Sequence, residues 1–342
     1  MPARCWKAVA MTPLRLRVFP WLWLLLALAS ACQCNDYTVC DAPAPARLSV
    51  LPARLSETGL FADVKAGTLA PGVRAFRPQF ELWSDGAAKR RWVALPEGGR
   101  IDTSDMDAWR FPVGTRLWKE FTRDGVRVET RLLLKFGPGE RDWADGAYLW
   151  TADGADAVLT PAGAKDVLGT KHDVPTAAQC DACHGGRSSH VLGFSAIQLA
   201  HDAGPGLLNL DGLVAEGLLT APPREVPRVP GNATERAALG YLHANCGSCH
   251  NLARPSQGGS RCFAPQNELD FWLQVDRLSS PSATPTYASF ERGVQPGAPE
   301  DSLLLVLMAR RGPGVRMPPL ATEVVDHDAM ALLHRWVEQL PE

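Results

Sequence analysis

The stretch Tyr241–Asn251, YLHANCGSCHN, sets two cysteines two residues apart with a histidine directly after the second. The same skeleton, Cys-x-x-Cys-His, stands upstream in AAQCDACHGG, residues 177–186. Cysteine and histidine are scarce, 9 and 8 in 342 residues, so composition does not account for two copies. The spacing is that of c-type haem attachment. Two thiols add across the two vinyl groups of haem, and the spacer sets their separation. The following histidine then lies beneath the iron as proximal ligand. On this reading Cys180, Cys183 and His184 hold one haem, and Cys246, Cys249 and His250 a second. A thioredoxin-like dithiol requires no histidine after its second cysteine. A zinc site built from the four cysteines leaves both histidines unexplained.

Outward from the motifs, the chain is long enough for two cores. Its net charge of -2 gives no basic footprint for nucleic acid. Near the N-terminus, MTPLRLRVFPWLWLLLALASAC carries Arg15 and Arg17, an apolar run and small residues before Cys32. This is the order of a secretory signal. The apolar run is short of the ~20 residues of a membrane span. Ala29-Ser30-Ala31-Cys32 reads as a bacterial lipobox, which makes residues 1–31 a lipoprotein signal peptide, Cys32 the lipidated first residue and 32–47 a tether. The expected location is periplasm-facing and anchored to the lipid bilayer, with Gln33 permitting the outer membrane. Export agrees with haem attachment outside the cytoplasmic membrane. An oxidising compartment permits a disulfide, and Cys34 with Cys40 is the simplest pair. Cys262 has no assignment.

From residue 48 to about 155, apolar runs such as RRWVALPEGG, GTRLWKEFTRDG and VRVETRLLLKFGPG are divided by Gly, Pro and Asp-Gly, which predicts strands and turns. Trp83, Trp92, Trp109, Trp118, Trp143 and Trp150 fall in this block and are expected to fill a β core. PREVPRVPGN, residues 223–232, is a plausible boundary. Beyond it, Asn232 with Glu235 forms a capping-box start, and Ala238, Leu239 and Leu242 recur at helical spacing up to Cys246. DHDAMALLHRWVEQL predicts a closing amphipathic helix with Met330, Leu333, Trp336 and Val337 on one face.

Residues Asn232–Leu340 resemble a class I cytochrome c domain: helix, CxxCH, loop, Met-Pro, helix. The resemblance implies that Gly240 and Tyr241 meet Trp336 where the first and last helices cross. It also implies that Met317, in Met317-Pro318-Pro319, is the distal iron ligand; Met308 in LLLVLMARRG is the rival. The expected fold is therefore multidomain α+β. A β-rich domain, 48–225, would carry the first haem, and an all-α class I cytochrome c domain, 231–342, the second. The mature chain as a whole is similar to bacterial dihaem c-type cytochrome lipoproteins, through ELWSDGAAKRRWVALPEGGRI, FPVGTRLWKEF, CHGGRSSHVLGFSAIQL and VQPGAPEDSLLL.

No Met-Pro element follows the first motif. His201, Met106 and Lys119 are its candidate distal ligands, beside His172 and His190. As a strand, GTRLWKEF places Leu117, Lys119 and Phe121 on one face, and Arg116, Trp118 and Glu120 on the other. The plain expectation is an inward Trp118 and a solvated Lys119. The stretch from Arg91 to His184 also resembles the lysine-crosslinked c-haem cytochromes and their gas-binding relatives, which implies a lysine near an open first haem. The leading functional expectation is electron transfer to redox partner proteins. The alternatives are a haem enzyme acting on peroxide, nitric oxide or hydroxylamine, and a β-domain binding module coupled to a redox chain.

Overall fold

The computed structural model describes residues 46–254, 268–312, 316–320 and 322–341. These belong to one compact unit, residues 37–342. Cys32, Cys34, Cys40 and Cys262 lie outside the described residues.

The larger sheet is an antiparallel meander of six strands in chain order. They are β3 (Arg74–Phe76), β4 (Ala88–Ala94), β5 (Arg116–Arg123), β6 (Val126–Lys135), β7 (Trp143–Trp150) and β8 (Ala157–Leu159). A small hairpin, β1 (Phe61–Asp63) and β2 (Thr68–Leu69), precedes it. Turn chemistry sets the longest pairing. Asp124 and Gly125 both have positive φ, 50° and 80°, which is the two-residue turn whose twist suits a hairpin. It joins β5 to β6.

Both faces of this sheet are covered, so its strands bury consecutive residues. On one face Trp92, Trp118, Leu132 and Tyr148 pack with Leu51, Leu55 and Leu60. On the other, Val93, Leu117, Leu133 and Trp143 pack with Phe194, Leu199 and Leu213. Of the six tryptophans, Trp92, Trp109, Trp118, Trp143 and Trp150 are buried core, whereas Trp83 lines a cavity.

The helices are short. α1 (Ala177–His184) opens with the Thr176–Gln179 capping box and packs against β7. α2 (Ala196–Leu199) and α3 (Leu210–Ala215) follow. α4 (Ala233–Asn245) starts with the Asn232–Glu235 box anticipated from the sequence. Beyond it come α5 (Pro285–Ser289), α6 (Leu303–Ala309) and α7 (His327–Glu338). α7 buries Leu333, Trp336 and Val337, and α4 and α7 pack together. No helix among the described residues is long and apolar enough to cross a membrane.

The expected fold class needs correction. Among the described residues the structure is mostly β, with two sheets and eight strands, and no all-α class I cytochrome c domain is seen. The physical reason lies in what Gly240 accommodates. A Cβ there would overlap the ring of Phe80, which comes from the segment between β3 and β4. That segment also ties itself to α4 by hydrogen bonds. The Trp83 amide donates to Asn245 Oδ1 at 2.7 Å, and Asn245 Nδ2 donates to the Glu81 carbonyl at 3.1 Å. Asp85 accepts from the amides of Glu323 and Val324 at 2.9 and 2.8 Å. The small residue thus admits a ring from the sheet side, and the helices are built into the sheet-containing unit.

Gly240→Ala is expected to destabilise the whole unit. Overpacking a filled site costs roughly 1–3 kcal/mol. A denaturant melt should show one transition moved to lower midpoint, with no independently melting helical part.

Candidate functional site

A cavity of about 830 Å³ lies between the sheet and the later helices. Cys180, Cys183 and His184 line it, and so do Cys246, Cys249 and His250. Local structure explains how each motif presents its groups together. Within α1, Cys180, Cys183 and His184 stand at i, i+3 and i+4 and share one helical face. The second motif begins where α4 ends. The amides of Cys249 and His250 both return to the Cys246 carbonyl, at 3.1 and 2.8 Å, which prolongs the helical turn.

The two motifs touch. A Cβ on Gly186 would collide with the Ser248 carbonyl, so only glycine allows the approach. Buried Asn251 fastens the seam. Its Nδ2 donates to the carbonyls of Gly247, Ser248 and Gly186, at 2.8, 3.2 and 3.3 Å. Arg187 Nη1 reaches Asn251 Oδ1 at 3.5 Å, and its guanidinium lies 4.4 Å from the Trp272 ring centre.

His184 Nδ1 stands 2.8 Å from the carbonyl oxygen of His190. A nitrogen facing a carbonyl must carry the proton, which leaves Nε2 with the free lone pair. Burial, followed by the neighbouring His190, lowers the His184 pKa to about 4, so the ring is neutral at pH 7. This is the second-shell arrangement that orients a metal-ligating histidine. His190 has φ of 60°, stacks on Trp143, and sets its Nε2 3.5 Å from Asp145 Oδ1.

The four cysteines are free. Burial pushes the Cys183 and Cys246 thiols up to about 12 and raises those of Cys180 and Cys249. A reactive dithiol needs the opposite shift. Nor do the cysteines gather around one point as zinc ligands. Among the described residues, the cluster of three potential ligands is Asp145, Asp181 and His190. Two thiol pairs, each followed by an imidazole, line one cavity with Phe80, Phe271 and Leu304, and each set could hold a covalently attached haem.

The remaining candidates separate clearly. Met317 and Met308 both line the cavity with the second motif; Met308 is buried and Met317 half-buried. Lys119 lines it beside the first motif. His172 also lines it, but its Nε2 is held 2.7 Å from Glu129 Oε1. His190 lies against His184 itself. His201 and Met106 are outside the lining. His201 places Nε2 2.8 Å from the Arg77 carbonyl, and Met106 packs on the core cluster of Trp109 and Phe194.

Among the cavity residues that escaped sequence reading are Arg91, Arg131, Asp145 and His243. His243 Nδ1 accepts the Leu273 amide at 3.1 Å, so Nε2 carries the proton. Its ring packs on Trp272 with centres 4.4 Å apart. Burial, then Arg187, lowers its pKa to about 3. Its place three residues before Cys246 was the available signal, and it is a weak one.

No family model, curated protein or solved structure matches the chain.

The buried histidines set an acid limit. The unfolded chain takes up a proton on His243 near pH 6.5, whereas the folded protein resists it down to about pH 3. Stability from this group is therefore complete above pH 6.5 and is lost progressively as pH falls toward 3. His184 acts in the same direction down to about pH 4. Denaturant midpoints measured across this range should fall with acidification, and His243→Gln should flatten the slope.

Proposed function

We propose that this chain is an exported dihaem c-type electron-transfer protein, tethered to a bacterial membrane through Cys32, that serves soluble redox partner proteins. The observation that supports this most is that both Cys-x-x-Cys-His motifs line one cavity and meet backbone to backbone at Gly186 and Ser248. Bound at each motif, a haem iron supplies a one-electron ferric–ferrous couple.

The chain's own residues do the rest. Cys180 and Cys183, and Cys246 and Cys249, would tether the groups. His184 would offer Nε2 as a donor to the iron, its ring held in place by the His190 carbonyl. Phe80, Phe271 and Leu304 supply apolar wall, which would limit water at the site and tune potential. Met317 offers a soft sulfur beside the second motif. The seam leaves no protein layer between the motifs, as an internal relay requires. A catalytic alternative, a first haem acting on peroxide, nitric oxide or hydroxylamine, draws on Lys119, a lysine in the cavity wall near Cys183 and His184 whose charge burial disfavours.

The mature protein should retain two haems after acid–acetone extraction, counted by intact mass. Cys246→Ala/Cys249→Ala should retain one. A wild-type chain with none removes the proposal.

Met317→Ala should abolish the weak far-red sulfur-to-iron band of the oxidised protein and lower the second haem's potential. Met308→Ala should leave the band in place. The reverse pattern would move the assignment to Met308.

A further inference from the structure

The geometry points to a binding site for one monoanion, of the carboxylate or small-oxyanion class, centred on Lys119 in the cavity wall. Strand register creates it. Arg91 on β4 pairs with Lys119 on β5, and Lys119 pairs with Arg131 on β6. Neighbouring strands are about 4.8 Å apart, so three cations stand side by side on one rung. All three line the cavity. Like charges directly opposite each other in a sheet are destabilising unless something compensates them.

Two of the three are compensated from within the chain. Arg131 makes a two-point pair with Glu129, Nη2 to Oε1 at 2.5 Å and Nε to Oε2 at 3.1 Å. Glu129 is committed further to His172. Arg91 Nη2 reaches Glu81 Oε2 at 3.2 Å. Lys119 has neither a hydrogen-bond nor an ion-pair partner among the described residues. Its ammonium lies 4.8 Å from the centre of the Phe121 ring, whose centre also lies 4.3 Å from the Arg131 guanidinium.

Stoichiometry gives the ligand class. Arg131 is matched by Glu129 and Arg91 by Glu81, and the Lys119 amine remains unmatched on the rung, facing a cavity that Asp145 also lines. A monoanion balances the rung; a neutral ligand leaves the ammonium unmatched, and a dianion overshoots. Burial, then repulsion from Arg91, Arg131 and Lys89, drives the Lys119 pKa well below the usual lysine range, so an anion beside it is what would restore its charge. The ligand chemistry has two sources. One is a propionate of a bound haem, which rests on the function proposed above. The other is a free oxyanion admitted to the cavity, which does not.

The test uses the full chain as purified, with its haem content counted first by mass, so that failure of the haem reading is seen separately. Nitrite is the probe, titrated by calorimetry into wild type, Lys119→Met and Lys119→Arg. Nitrite binding that falls at least tenfold in Lys119→Met and survives in Lys119→Arg establishes a free-anion site. No nitrite binding, with a resonance Raman propionate band that shifts in Lys119→Met and is kept in Lys119→Arg, establishes propionate as the occupant. Lys119→Gln replaces the methionine variant should that fail to fold. Nitrite bound equally by all variants overturns the site, as does absence of binding together with an unchanged propionate band. In a chain without haem, calorimetry alone decides, and absence of binding overturns it.

Discussion

The close approach of Gly186 to the Ser248 carbonyl governs the arrangement of the rest. The two residues are far apart in sequence, and a single methyl group between them would force the motifs apart. Asn251 makes the approach durable, because its buried amide finds three carbonyl acceptors at the seam. An amide left unsatisfied there would cost about 1–3 kcal/mol. Arg187 extends the seam by stacking on Trp272 and reaching toward the Asp107 carbonyl. Asp107 in turn accepts the Val275 amide at 2.9 Å, although burial raises its pKa to about 6. One glycine contact thus holds residues from before the first motif and after the second in a single unit.

Charge is handled similarly on both faces of the large sheet, with one exception. On the tryptophan-rich face, buried Glu120 meets Arg90 at 2.5 Å and Arg127 at 3.9 Å, and Arg127 stacks on Trp150. On the cavity face, Glu129 is buried too. Burial opposes its ionisation, but Arg131 and His172 outweigh that and hold it below the usual carboxylate range. Buried pairs of this kind are costly to break and add little net stability; Glu129 is bonded through both oxygens, whereas Glu120 Oε2 is buried with no hydrogen-bond partner among the described residues. Lys119 alone among these groups has only an aromatic ring.

Local features were legible in the sequence. The two Cys-x-x-Cys-His motifs, the Asn232 cap, the closing helix and the turn at Asp124-Gly125 depend on neighbours within a few residues. What failed were readings that depend on distant partners. The resemblance implied a helix crossing at Gly240 and Tyr241; α4 and α7 do pack and Tyr241 joins the Trp336 cluster, but the space at Gly240 is taken by Phe80, 160 residues upstream. Lys119 illustrates the same limit. Alternation along β5 separates two faces but cannot say what covers each. Solvent was expected over the lysine; α1 and the later segments enclose it at a cavity. His201, plausible by residue type, is occupied by the Arg77 carbonyl, another long-range partner.

The enclosure of the four thiols also constrains the order of assembly. Cys180 is 7 % exposed, and burial keeps all four sulfurs protonated. Groups so protonated are poor nucleophiles in the folded protein, although Cys183, Cys246 and Cys249 are half-buried and face the cavity. On the proposed reading, alkylation at both motifs therefore precedes collapse. Because Gly186 and Ser248 bring both motifs into one seam, burial of either thiol pair is tied to burial of the other.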